Sequence, residues 1–224
     1  MDYAWGAVAG ITGGAGVALL YRALAIGGMA VVAPTTAVCA VIIPVLVAVG
    51  SGERPGLTTV GGIVLAIVAI ALVSQSEHPE PVQGHAAGSS MPAFTLALLS
   101  GVLIGFFFVA LARTSAEAGL WPLVVGRAVS VALFAVMAVL TSQSLRVPFG
   151  ILGLVITGGS LDMIANLLYM IATRSGPLSV VVTLASLYPA STVLLARVVL
   201  HERLSSRQLV GIVCAMIAVM AIVR

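Results

Sequence analysis

The sequence predicts an all-α membrane protein in which about eight transmembrane helices form an inverted-repeat bundle. Of its 224 residues, 61% are hydrophobic and only 8% are charged, whereas a soluble domain carries about a quarter charged residues. The hydrophobic residues lie in long runs, and about 20 consecutive apolar residues are enough for a helix to cross the hydrocarbon core of a bilayer. The same order of runs and polar hinges occurs twice along the chain. Together these observations indicate a multi-pass membrane protein.

Eight apolar runs predict the helices, and short polar hinges separate most of them. One longer polar linker, rich in proline and glycine, occupies 74–91. The chain therefore divides into a first repeat of three helices at 1–73, the linker, and a second repeat of five helices at 92–224. The predicted helices cover 4–26, 31–49, 57–73, 92–112, 121–140, 149–173, 178–200 and 207–223.

The repeat has a fixed register of 149 residues. Glu53 and Glu202 are 149 positions apart (202 − 53), and so are Arg54 and Arg203. Five crossings separate each helix of the first copy from its counterpart in the second. Because five is odd, the two copies enter the membrane from opposite sides, as in the inverted repeats of many secondary transporters.

The two copies differ in length. Counterparts of the helices at 92–112 and 121–140 are expected ahead of residue 1, and translation of the upstream DNA tests that expectation. A protein that works with eight helices is the alternative.

Small residues and prolines predict where helices approach each other or bend. Gly6, Gly10 and Gly14 recur at four-residue spacing, which lets two helix backbones come close. Pro34 lies in the second helix, and a proline frees a carbonyl group that is tolerated only beside a cavity or a partner helix. Pro34 is therefore a candidate cavity residue, and the second and seventh helices are expected to line the cavity.

Asp162 lies near the middle of the sixth predicted helix, where a carboxylate is costly unless it is paired, hydrated or protonated. Asn166 and Tyr169 follow it by four and seven residues and share its helical face. Arg127, about 9 Å deep in the fifth helix, is the expected partner. Two hypotheses stay open: a buried ion pair that only fixes helix packing, and a pair that lines a substrate cavity. In the cavity, Arg127 holds a substrate carboxylate or Asp162 takes a proton.

Tyr21 and Tyr188 complete the candidate cavity residues because each joins a hydroxyl group to an aromatic body. Tyr21 and Tyr169 occupy nearly matching repeat positions (169 − 21 = 148). The hinges at Glu53 and Glu202 predict short ion pairs or helix-start contacts, not catalysis.

The sequence predicts no cofactor and no metal site. Cys39 and Cys214 lie inside apolar runs and are interpreted as small core residues. His78 and His85 lie in the polar linker at a spacing that matches no set of metal ligands.

Several motifs in the last quarter of the chain occur together. They are Gly176 with Val180-Val181, Leu187-Tyr188-Pro189-Ala190, Glu202-Arg203-Leu204, and Gln208-Leu209 with Gly211-Ile212. This combination resembles the second repeat of EamA-type transporters of the drug/metabolite transporter superfamily, and 28–34 and 52–55 carry a version of it. The resemblance implies a bundle of five plus five helices, a small-molecule substrate, a cytoplasmic C-terminus and an external linker.

The leading interpretation is a secondary transporter of the plasma or inner membrane, an exporter of a small metabolite or drug-like molecule that works by alternating access. The chain has no lysine and no Gly-x-x-x-x-Gly-Lys motif, so it is not a P-loop ATPase, and a proton is one option for coupling. A homodimer is compatible with the sequence, whereas no basic patch indicates nucleic acid. The alternatives are a non-transporting or truncated partner subunit and, less favoured, a membrane-embedded enzyme, because the apolar runs hold one central acid and no histidine.

Overall fold

The structure is a computed structural model that describes residues 1–27, 29–73, 90–142, 148–187 and 205–223. Within these ranges every regular element is an α-helix, which confirms the predicted all-α class. Predicted and observed helix bounds agree to within two residues for every helix but the seventh. The predicted helix at 178–200 is interrupted, because α7 ends at Ala185 and a turn follows at Ser186 and Leu187. Residues 188–200 and the linker at 74–89 lie outside the described residues. The helices are α1 Asp2–Ile26, α2 Met29–Gly50, α3 Leu57–Val73, α4 Ser90–Ala112, α5 Trp121–Leu140, α6 Phe149–Ser175, α7 Leu178–Ala185 and α8 Ser206–Val223.

Five of these helices, α1, α2, α4, α5 and α6, are long and apolar enough to cross a membrane. The helices α3 and α8 are shorter and also apolar. In hydrocarbon every backbone N–H and C=O group must be bonded inside the protein, and a helix satisfies them within itself. This explains why runs rich in valine and isoleucine, which favour strands in water, are helical here.

The helix boundaries repeat along the chain. Three matching pairs of boundaries are 149 residues apart, the same interval that relates the polar hinges. The pairs are Ile26 and Ser175 at the ends of α1 and α6, Met29 and Leu178 at the starts of α2 and α7, and Leu57 and Ser206 at the starts of α3 and α8.

Glycines allow α1 to pack closely against α4 and α5. A Cβ atom at Gly10 would overlap the carbonyl oxygen of Gly126, and one at Gly6 would overlap the backbone of Pro122. Gly101 of α4 faces α2 in the same way. The prediction that these small residues serve helix packing is confirmed.

The helix α6 is much less covered than α1, its counterpart in the repeat. It contacts the other helices mainly near Ser175, where Tyr169 and Met170 are buried. Most of its apolar length is exposed, and Cβ atoms at Gly153 and Gly159 would meet open space. Among the described residues, the two repeats are therefore packed unequally.

Candidate functional site

A cavity of about 480 Å³ lies between α1, α4, α5 and α6. Pockets for small molecules typically measure about 300–1,000 Å³, so this one has room for such a ligand. Glycines of α1 form part of its wall, and their missing side chains contribute to the open space. The polar lining residues are Tyr21, Arg127, Ser130, Asp162 and Asn166.

Arg127 of α5 and Asp162 of α6 form an ion pair at the cavity wall. The Nη2 atom of Arg127 donates a hydrogen bond to Oδ2 of Asp162, and its Nε atom lies 3.2 Å from the sulfur of Met163. The two charged side chains are 42% and 55% exposed, and α5 and α6 otherwise barely touch. The structure places the two residues as a pair, as predicted, and leaves both side chains about half-exposed at the cavity instead of buried between the helices.

Two further polar side chains extend this wall along α5 and α6. The amide nitrogen of Asn166 donates to the backbone carbonyl oxygen of Asp162 at 2.8 Å, which holds the amide beside the carboxylate. The hydroxyl group of Ser130 donates to the carbonyl oxygen of Arg127 at 3.0 Å. Both contacts lie within one helix, so neither holds the two helices together.

Three phenylalanines form an apolar wall that the sequence analysis missed. Phe107 and Phe108 of α4 and Phe134 of α5 line the cavity, and the first two have ring centres 5.3 Å apart. The signal for them is the run Phe106-Phe107-Phe108 in an otherwise aliphatic helix. Tyr21 lines the same cavity, and its side chain is 69% exposed.

Tyr169 lies away from the cavity, in contrast to the sequence-based expectation. Its side chain is 6% exposed, its hydroxyl group donates to the carbonyl oxygen of Phe108 at 3.2 Å, and the two ring centres are 4.9 Å apart. Seven residues after Asp162, it points to the same side of α6 but lies about 10 Å farther along the helix axis. At that level α6 meets α4, so Tyr169 is part of the core.

Pro34 also lies off the cavity, and no described residue of α2 or α7 lines it. The helix α2 packs against the face of α4 that carries Gly101 and Gly105, whereas Ile104 of α4 faces the cavity. The expectation that α2 and α7 form the wall is therefore not met in the part of the chain that is described. Tyr188 lies outside the described residues.

The cavity combines one anion, one cation and neutral polar groups with an aromatic wall. Such a lining suits a ligand that has both a polar or charged group and an apolar part. Cys39 and Cys214 are separate free thiols. Across the described ranges, no group of three or more histidine, cysteine and acidic residues could hold a metal ion.

Comparison with known proteins identifies the family. A family model described as the EamA-like transporter family matches residues 91–224, more than half of the chain. No curated protein matches the chain. One solved crystal structure has the same fold with a TM-score of 0.69 and 16% identity, over 100% of this chain and 89% of that one, and at this identity the likeness shows the fold alone. The resemblance seen in the sequence motifs is confirmed: the chain is a multi-pass membrane protein that belongs to the EamA-like transporter family of the drug/metabolite transporter superfamily.

Proposed function

We propose that the protein is a secondary transporter that exports a small metabolite or drug-like molecule across the plasma or inner membrane. The observation that carries this proposal is the half-exposed Arg127–Asp162 pair on the wall of the cavity. Charged side chains at membrane depth are costly and mark pathways for substrates, ions or protons. A pair that only joined two helices would be enclosed between them, whereas this pair borders a space large enough for a ligand.

Each member of the pair has a distinct role in the proposed cycle. The planar guanidinium group of Arg127 suits a substrate carboxylate or another anionic group. Asp162 binds a cationic group of the substrate or a coupling proton once Arg127 has turned to the substrate. Asn166 adds a neutral polar group beside the carboxylate. The phenylalanine wall accommodates the apolar part of the substrate.

The proposed mechanism is alternating access between inverted repeats. Three pairs of helix boundaries at a spacing of 149 residues support it, because related halves can exchange conformations so that the cavity opens to one side and then to the other. The driving energy comes from a proton gradient or from the gradient of the substrate, since the sequence carries no P-loop.

Export profiling tests the proposal. Cells that produce the wild-type chain, cells that produce Asp162→Asn and cells without the chain are compared by mass spectrometry of the growth medium. We expect a compound that accumulates outside only with the wild type, because Asn keeps the size of the side chain but loses its charge and its proton site. A matched control is Glu117→Gln, which removes an exposed acid of the α4–α5 loop and should export like the wild type. Immunoblots of the membranes confirm equal amounts of each chain.

The alternatives give different results. A non-transporting partner subunit would leave all four media alike although the chain reaches the membrane. A membrane-embedded enzyme would change the chemical composition inside the cell without an Asp162-dependent compound outside; known members of this family are transporters. Full export by Asp162→Asn would contradict both proposed roles of the carboxylate.

A further inference from the structure

We propose that Glu53 is a latch that keeps one end of the cavity closed, an inference that rests on the proposed transport function. Consecutive helices cross in alternating directions, so the start of α1, the α2–α3 and α4–α5 loops and the start of α7 lie on the same side of the membrane. This side is called the Glu53 end. The opposite side, where α1 ends and α2 begins, is called the Ile26 end.

Glu53 binds the start of α7 across the boundary between the two repeats. Its carboxylate accepts hydrogen bonds from the N–H groups of Leu178 and Ser179 at 2.7 and 3.1 Å, and from the hydroxyl group of Ser179 at 2.7 Å. The residue before α7 is Pro177, which offers no side-chain cap. The first N–H groups of a helix have no partner within the helix and carry partial positive charge, and Glu53 provides an acceptor for two of them.

Other contacts at the Glu53 end draw the same loops together. Arg174 at the end of α6 donates to the carbonyl oxygens of Ser115 and Gly119 at 2.8 and 3.0 Å. Arg113 at the end of α4 donates to the hydroxyl group of Ser51, close to Glu53 in the α2–α3 loop, at 3.0 Å. The ends of α4 and α6 and the start of α7 are thus tied to two loops.

An apolar layer lies between these polar contacts and the cavity. It consists of Leu111, Leu123, Tyr169 and Val182, which belong to one buried cluster and are each at most 6% exposed. Leu111 and Leu123 also border the cavity, so the layer is its floor. A ligand that moves toward the Glu53 end meets this floor first and the latch behind it.

The cavity is more open toward the Ile26 end. Tyr21, which lines it, lies five residues before Ile26 and is 69% exposed, and Phe134 on α5 is 39% exposed. The structure thus corresponds to a state that is open to the Ile26 end and closed at the Glu53 end. The opposite state requires Val182 of α7 to leave the floor, and the start of α7 cannot move away while Glu53 holds it.

Thiol labelling tests the latch without any knowledge of the substrate. In a background with Cys39→Ala and Cys214→Ala, Ser130→Cys places one thiol in the cavity. A membrane-impermeant maleimide is added to right-side-out and to inside-out vesicles. In a separate preparation, Glu117→Cys in the α4–α5 loop reports which vesicles expose the Glu53 end.

We expect the thiol of the Ser130→Cys variant to react mainly from the Ile26 end in the otherwise unchanged chain. Glu53→Gln keeps the shape but loses the charge, and hydrogen bonds to charged groups are strong enough that their loss should raise labelling from the Glu53 end roughly tenfold. Ser179→Ala removes one of the three bonds and should change labelling in the same direction by a smaller factor. Glu117→Gln, an exposed acid at the same end, should leave the rate unchanged.

The latch and the proposed function fail in distinguishable ways. Unchanged labelling rates in both Glu53→Gln and Ser179→Ala would overturn the latch, even if Asp162-dependent export is found. Equal labelling from both ends in the chain with an intact Glu53 would overturn the closed state itself. A labelling shift in Glu53→Gln without any exported compound would support the latch and contradict the transport proposal.

Discussion

Tyr21 and Tyr169 occupy nearly matching positions in the two repeats but have different surroundings. Tyr21 borders the cavity and is 69% exposed, whereas Tyr169 is 6% exposed and bonds to the backbone of Phe108. The difference follows from the packing of their helices, because α6 is covered only near the end where Tyr169 lies. At the scale of single residues, removal of each hydroxyl group should therefore have a different effect.

The Tyr169→Phe variant should unfold more easily by about 1 kcal/mol, since it loses one hydrogen bond to a backbone carbonyl. Its affinity for a transported compound should equal that of the wild type because its hydroxyl group does not face the cavity. Thermal unfolding and ligand binding of the detergent-solubilised protein measure the two quantities.

The Tyr21→Phe variant should give the opposite result. Its stability should stay within about 0.5 kcal/mol of the wild type, as for most exposed positions, while affinity for a ligand that bonds to the hydroxyl group should fall, by up to about tenfold. Weaker binding in Tyr169→Phe than in Tyr21→Phe would show that the assignment of the two residues is reversed.

At the scale of helices, the pairing of α1 with α5 depends on the missing side chains of glycines. The position of Gly10 against the carbonyl oxygen of Gly126 brings the two backbones into direct contact. The cavity begins on the same helix, where Gly13 and Gly14 are part of its wall. In α1, small residues thus allow close packing against α5 and also leave room for the cavity.

Replacement of Gly10 by Ala should destabilise the protein by about 1–3 kcal/mol, the range for overpacked sites, because the added methyl group would overlap the backbone of α5. The control is Gly61→Ala in α3, where a Cβ atom would meet nothing within 4 Å. That change should be neutral or stabilising by up to about 1 kcal/mol, since Ala favours a helix more than Gly does. Thermal unfolding in detergent measures both, and equal stability of the two variants would contradict the close α1–α5 contact.

At the scale of the whole molecule, three helix boundaries recur at the spacing of 149 residues, but the packing of the matching helices differs. The starts of α3 and α8 are 149 residues apart, and these two helices pack against each other. In contrast, α1 is covered by α4 and α5, whereas its counterpart α6 is largely exposed.

The inverted arrangement predicts that matching helix starts face opposite sides of the membrane. Leu57→Cys and Ser206→Cys, introduced separately into the chain without other cysteines, place thiols at the exposed first residues of α3 and α8. An impermeant maleimide should label these two variants in vesicles of opposite orientation. Labelling of both from one side would contradict an inverted repeat.

Much of the fold could be predicted because the membrane limits the choice of structure. Apolar runs must be helical in hydrocarbon, so the run lengths predicted the bounds of the described helices to within two residues, except for α7, which ends at Ala185. The Arg127–Asp162 pair could be predicted in the same way, since a charge at that depth needs a partner and adjacent helices supply the nearest one.

Other features depend on packing that the sequence does not reveal. Asp162 and Tyr169 lie on the same face of α6. The helical spacing does not show, however, that only the part of α6 near Tyr169 packs against α4. Pro34 was expected at the cavity because a proline frees a backbone carbonyl group. The helix α2 instead packs on the face of α4 that carries Gly101, whereas the cavity lies on the face that carries Ile104. For Glu53 the sequence predicted a short ion pair or a helix-start contact within its own tight loop. The contact with the start of α7 could not be predicted, because helix ends that meet in space are distant in sequence.

The position of Glu53 also has an evolutionary consequence. A protein made of two related halves can arise when a gene is duplicated and the copies are fused. Here the start of α7 in the second half is capped by an acid that the first half supplies. Once such a dependence exists, separation of the halves into independent genes would leave α7 without its cap unless a local one evolved first. The dependence of α7 on Glu53 therefore favours keeping both halves in one chain.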